Sequence, residues 1–144
     1  MNEVIKELIL RGSFEEANYL LISFGEQEIE SFLVNLACES QSITAYGFII
    51  NNLIQQETIY WHKMAAVLFL APLSRVIGAY PLGLYHTRRA MALDSNDVGA
   101  KSLLLSYHNS PAPTVTKEEA IEVAKEIVIT QYNDEFTITD RLNA

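Results

Sequence analysis

A chain of 144 residues with 49% apolar and 19% charged side chains, six glycines and four prolines has the balance of one compact domain, 1–144. That balance excludes a disordered chain or two comfortable domains, and a chain of this length buries roughly two-thirds or more of its unfolded surface. Its formal net charge of −8 argues against direct nucleic-acid binding and favours basic partners, while leaving the fold open.

The chain starts Met1-Asn2-Glu3-Val4-Ile5-Lys6-Glu7, with two acids where a secretory signal needs a basic start and an apolar run. A helix is expected there instead, over about 2–11. Ser13-Phe14-Glu15-Glu16 sets a hydroxyl at a plausible N-cap and a carboxylate three residues on, the reciprocal pairing of a capping box. With Ala17, Leu20, Leu21 and Phe24 at spacings of three and four, it predicts a helix over 14–24. The same period continues in Ile29, Phe32, Leu33 and Leu36, then in Tyr46, Ile49, Ile50, Leu53 and Ile54, which predicts helices over 27–39 and 43–56. The longest apolar run, Met64 to Leu73, is ten residues and contains Pro72. A membrane span needs about twenty, so no membrane association is expected, and the run reads as a buried helix over 58–77 that Pro72 kinks or ends. Gly78 to Gly83 reads as an inter-helix turn, followed by helices over 82–93 and 97–108, and Asn109 to Thr114 as a further break. Thr116-Lys117-Glu118-Glu119 repeats the capping signal before Ala120, Ile121, Ala124, Ile127 and Val128, predicting a last helix over 117–131. From Asn133 to Ala144, Phe136-Thr137-Ile138-Thr139 has strand-like composition without a partner strand, and an extended or docked tail is expected.

The fold expected is therefore all-α, about eight helices stacked as antiparallel hairpins in the manner of helical-repeat proteins, with an extended C-terminal tail. Ala90-Met91-Ala92-Leu93-Asp94-Ser95-Asn96-Asp97 resembles the end of a tetratricopeptide unit, and Leu70-Ala71 stands about where such a unit places its leucine and small residue. The resemblance covers about thirty residues and departs from the pattern at the tryptophan, tyrosine and proline positions, which hold Val67, Ser74 and Ser95. It implies stacked helical hairpins.

No residue set carries a catalytic signature. His62, His86 and His108 lie more than twenty residues apart, outside any His-x-x-x-His pattern, so no metal site is expected and satisfied or surface histidines are the simpler reading. Cys38 is the only cysteine, which excludes an intramolecular disulfide and makes a reducing compartment the simpler setting. It falls near a helix C-terminus with no activating base and is expected to be a buried small side chain. No glycine-rich phosphate loop or Gly-x-Ser-x-Gly elbow occurs, and no cofactor is expected.

Charge is the informative feature. No acid falls between Glu57 and Asp94; residues 1–57 carry −7, residues 58–93 carry +4 and residues 94–144 carry −5. The basic centre, with Trp61, His62, Lys63, Arg75, Tyr80, Tyr85, His86, Arg88 and Arg89, mixes cations with aromatics as nucleic-acid surfaces do, but the net charge opposes that role. Arg88 and Arg89 are expected to pair with acids from neighbouring helices, and Tyr60, Trp61 and Tyr85 to pack or anchor an interface. Capping explains many of the paired carboxylates. It leaves Glu26, Glu28 and Glu30, and Glu119, Glu122 and Glu126 on one face of the last helix, as either a solvated face or an acidic docking surface.

In size, acidity, helical content and absence of a catalytic constellation, the chain resembles the immunity proteins that bacteria keep in the cytosol to neutralise incoming toxins, many of them basic nucleases. That resemblance implies a cytoplasmic, non-enzymatic inhibitor whose acidic surface steers it onto a basic toxin domain while aromatic anchors supply affinity. The partner-binding residues expected are Glu26, Glu28, Glu30, Glu119, Glu122 and Glu126, with Tyr19 and Tyr132 as aromatic contacts. The alternative is a helical-repeat scaffold holding a peptide in a groove that includes Tyr46, Asn51, Asn52 and Arg88. An enzyme whose site is assembled only in three dimensions ranks last.

Overall fold

The computed structural model describes residues 3–111 and 114–143. The expected first helical residue, Asn2, two residues of the Asn109–Thr114 break and Ala144 of the tail lie outside them. Eight helices follow in order: α1 Glu3–Leu10, α2 Phe14–Leu21, α3 Glu26–Ser40, α4 Thr44–Gln55, α5 Ile59–Leu70, α6 Ala79–Leu93, α7 Val98–His108 and α8 Lys117–Asn143. Among the described residues there is no strand, and no helix is long and apolar enough to cross a membrane.

α5 is the centre. It packs against α3, α4, α6 and α7, most extensively against α6. Its His62, Met64, Ala65, Ala66, Leu68 and Phe69 are all buried, the pattern of a helix apolar on every side rather than along one stripe. The core accordingly divides into two adjoining clusters. Residues of α1 to α5, among them Ile9, Leu33, Phe48, Leu68 and Phe69, form one. Ala66 joins Leu84, Leu104, Tyr107, Val115, Ala120 and Val123 in the other.

Pro72 ends α5 at Leu70, because a proline lacks the N–H that the next helical turn requires. The chain then restarts a turn earlier than its sequence suggests. Gly78 takes a left-handed φ of 83° and α6 begins at Ala79, so Pro81 sits in the first helical turn, where no intrahelical N–H bond is needed. The expected turn from Gly78 to Gly83 is thus largely helix. Gly83 lies inside α6 for a packing reason: a Cβ there would stand 1.7 Å from the Tyr107 hydroxyl, which reaches past it to donate to the Ala66 carbonyl at 2.6 Å.

Three further expectations are corrected. The residues expected as an extended tail continue α8 to Asn143. No glycine or proline follows Lys117, and β-branched residues cost a helix only tenths of a kcal/mol each, roughly, whereas an isolated strand leaves its backbone groups unpaired. The Ser13 hydroxyl makes no cap bond; it accepts from Arg11 Nε at 3.0 Å, and Glu16 turns to Arg11 at 3.6 Å. Cys38 is exposed, since Leu33, Leu36 and Ala37 set the buried side of α3 and Cys38 is turned well away from it at 100° per residue.

Candidate functional site

The two acidic groups anticipated from sequence have different surroundings. On α8, Thr116 Oγ1 accepts from the Glu119 backbone N–H at 3.2 Å, as a cap should. The Glu119 carboxylate, however, does not close the box; it forms a two-pronged pair with Arg88 of α6, with Nη2 to Oε2 at 3.0 Å. That hydrogen bond holds the Glu119 carboxyl below its ordinary pKa. Glu126 meets the ammonium of Lys101 at 3.0 Å, and Lys101 is itself buried. Glu122 pairs with Lys125 at 3.2 Å. Each acid of this face therefore has a cation of its own chain beside it.

The N-terminal group is different. Successive even positions of a helix diverge, so Glu26 and Glu30 share one side of α3 while Glu28 and Glu39 share the opposite side. Glu26 and Glu30 border a groove of about 450 Å³ between α3, α5 and α7, with Tyr60, Lys63, Val67 and Leu103 among its walls. Its lysine is engaged: Lys63 Nζ lies 3.2 Å from both Asp97 oxygens. Among the described residues neither Glu26 nor Glu30 pairs with a cation. Tyr60 donates to the Glu26 backbone carbonyl at 3.0 Å, and burial, then the charges of Glu26 and Glu30, raise its phenol pKa, so it stays a neutral donor at the groove wall.

On the other side of α3, Glu28, Glu3 and Glu39 border a second groove of about 540 Å³ against α1, with Phe24 and Phe32 among its lining. Glu28 also closes the start of its own helix by accepting from the Gly25 N–H at 2.9 Å, and Lys6 pairs with Glu39 at 2.9 Å. A third groove, between α1 and α2, is lined by Val4, Leu8, Leu20 and Tyr19 with Glu15 and Glu16; Tyr19 is 78% exposed and Ile22 85%. α3 walls the first two grooves on its opposite sides, and α1 walls the second and third. Tyr132 lies apart on α8, 66% exposed, at helical spacing from the exposed Ile121 and Val128. Tyr46, Asn51, Asn52 and Arg88 are dispersed: Asn52 donates back to the Phe48 carbonyl and Arg88 is held by Glu119.

Sequence reading missed a polar chain, buried at its two histidines, that links three helices. Tyr46 Oη on α4 lies 2.9 Å from His86 Nε2 on α6. His86 Nδ1 lies 2.9 Å from His62 Nδ1 on α5, and His62 Nε2 lies 2.9 Å from Glu57 Oε1. Arg89 donates to the same Glu57 oxygen through Nε at 3.0 Å and Nη2 at 2.6 Å. Glu57 is an acceptor only, which fixes every donor when both imidazoles are neutral. His62 gives Nε2–H to Glu57, His86 gives Nδ1–H to His62, and Tyr46 gives its hydroxyl proton to His86. Arg89, then His62, hold the Glu57 carboxyl below its ordinary pKa through these hydrogen bonds. His86 is pushed down to about 4, first by burial and then by the neighbouring charge of His62. A cavity of about 230 Å³ borders the chain, lined by Tyr46, Ile50, Leu53, Tyr85, His62 and His86 among others. The only sequence signals were histidines on otherwise buried stretches; twenty-four residues of separation hide a contact made between helices.

Among the described residues no group of three or more His, Cys, Asp or Glu side chains could hold a metal ion. No known protein family, curated protein or solved structure matches this chain.

Proposed function

We propose that the protein acts by binding another protein, a basic domain that docks at the face of α3 carrying Glu26 and Glu30, and that it serves as an inhibitor of the kind that neutralises a basic, nuclease-type toxin. The observation that supports this reading is the contrast between the two acidic groups. Glu119, Glu122 and Glu126 face cations of their own chain, whereas Glu26 and Glu30 do not, and residues 1–56 hold eight acids against Lys6 and Arg11. Uncompensated charge at the edge of apolar grooves steers a cationic partner and sets its orientation, while exposed Tyr19 and Ile22 offer the large side chains that carry affinity.

The alternative partner, an extended peptide, is favoured by the groove that three separate helices wall around Glu26 and Glu30. The two readings part on what binds: a folded basic domain whose activity is suppressed, or an unstructured basic segment alone. Capture from native lysate followed by titration at two salt concentrations tests both. The inhibitor reading expects a tight, salt-sensitive complex with a basic domain whose activity or toxicity the protein suppresses. Complexes that are insensitive to salt, or formed without Glu26 and Glu30, contradict the docking side.

A further inference from the structure

The chain Tyr46–His86–His62–Glu57 links α4 to the α5–α6 pair through side chains rather than backbone, and its two central members meet nitrogen to nitrogen. Such a contact holds one proton. With both imidazoles neutral the donors all run from Tyr46 toward Glu57. A single added proton is accommodated without losing a link. It joins Tyr46, whose own proton passes to His86 Nε2, while the His86 Nδ1 proton passes to His62 Nδ1. His62 is then an imidazolium beside Glu57, His86 Nε2–H donates to Tyr46, and the tyrosine hydroxyl proton turns toward the cavity. A second added proton places two N–H groups head to head across 2.9 Å, and no tautomer relieves them.

We propose that this chain is a pH-sensitive latch between α5 and α6, closed while one of the facing Nδ1 atoms of His62 and His86 lacks a proton and opened when both histidines carry their full complement.

The surroundings allow it. α4 contains no charged residue and contributes Tyr46. The connection into α5 contributes Glu57, and α6 contributes Tyr85, whose ring centroid lies 5.2 Å from that of His86, together with Arg89. Glu57 and Arg89 offset each other. Lys63 is turned to Asp97, and Arg88 to Glu119, and among the described residues Glu57 is the one carboxylate hydrogen-bonded to the pair. His62 and His86 are both buried. Because the folded protein lowers His86 from 6.5 to about 4, the neutral form is favoured on folding. The latch is therefore at full strength above about pH 6.5 and is lost as the pH falls toward about 4.

Amide exchange and imidazole nitrogen resonances of the full chain, followed from about pH 7.5 to about 4.5, test the latch. Near pH 7.5, His86 is expected to be neutral with its proton on Nδ1. Toward about pH 4.5 the protection of α6 is expected to fall by at least about tenfold relative to α7 after correction for intrinsic rates, while His86→Gln flattens that dependence and His108→Gln preserves it. An Nε2–H tautomer of His86 while His62 is neutral, titration of His86 at an ordinary histidine pH, or equal loss of protection in every helix overturns the proposal. Should His86→Gln not fold, the tautomer and titration of the unaltered protein still decide it.

Discussion

Gly83 is the residue whose identity the packing dictates most strictly. The Tyr107 hydroxyl fills the space where any other residue would place its Cβ, and Tyr107 is anchored by its bond to the Ala66 carbonyl. Gly83→Ala should destabilise the fold by about 1–3 kcal/mol, the usual cost of overpacking a filled site, read as a lower denaturant midpoint; an unchanged midpoint would mean that Tyr107 moves aside freely. Glu126 and Glu122 differ in the same physical way. Glu126 compensates buried Lys101, while Glu122 meets Lys125 in the open. Glu126→Ala is expected to cost about 1 kcal/mol or more, because it leaves a buried ammonium without its partner, and Glu122→Ala only a few tenths, as for exposed pairs, roughly. Equal midpoints for the two variants would show that Lys101 finds solvent instead.

Among the elements, α7 depends most visibly on one side chain. Asp97 Oδ1 accepts from the Ala100 N–H at 2.7 Å, and both its oxygens face Lys63 of α5, so one carboxylate caps a helix and ties it to the centre. Asp97→Ala should cost about 1–2 kcal/mol, the range for a lost N-cap, and Asp97→Asn should recover most of the cap but not the ion pair; equal losses for the two would assign the effect to the ion pair. Much of this level was legible in sequence. Apolar spacings of three and four placed α2, α3 and α4 within a few residues, and Pro72 marked the end of α5. What escaped was set by contacts. Pro81 and Gly83 look like turn residues in a linear string, yet the first tolerates an opening helical turn and the second admits Tyr107. Ser13 reads as a cap, but Arg11 occupies its oxygen. Phe136 to Thr139 has strand composition, but α8 continues because nothing interrupts it.

Across the whole molecule, the segregation of charge along the chain resolves into internal complementarity. The acid-free stretch forms α5 and α6 at the centre, and three of its cations reach acids outside it: Lys63 to Asp97, Arg88 to Glu119 and Arg89 to Glu57. The pairing of Arg88 and Arg89 with neighbouring acids was legible from charge alone. Which acids would remain uncompensated was not, because that depends on helices separated by thirty or more residues, as Arg88 is from Glu119. The candidate site was legible only as a set of residue types: Glu26 and Glu30 share a groove, Glu28 faces away from them, and the histidine chain had no sequence pattern at all. The most direct measurement compares two charge-reversed variants, Glu26→Lys/Glu30→Lys and Glu122→Lys/Glu118→Lys, as matched baits for the basic partner at low and moderate salt. Docking at the Glu26–Glu30 face of α3 is expected to show as a loss of at least about tenfold in affinity and a flatter salt dependence for the first variant, with the second near the unaltered protein. Equal affinity for both variants at low salt, or loss confined to the α8 variant, would contradict it.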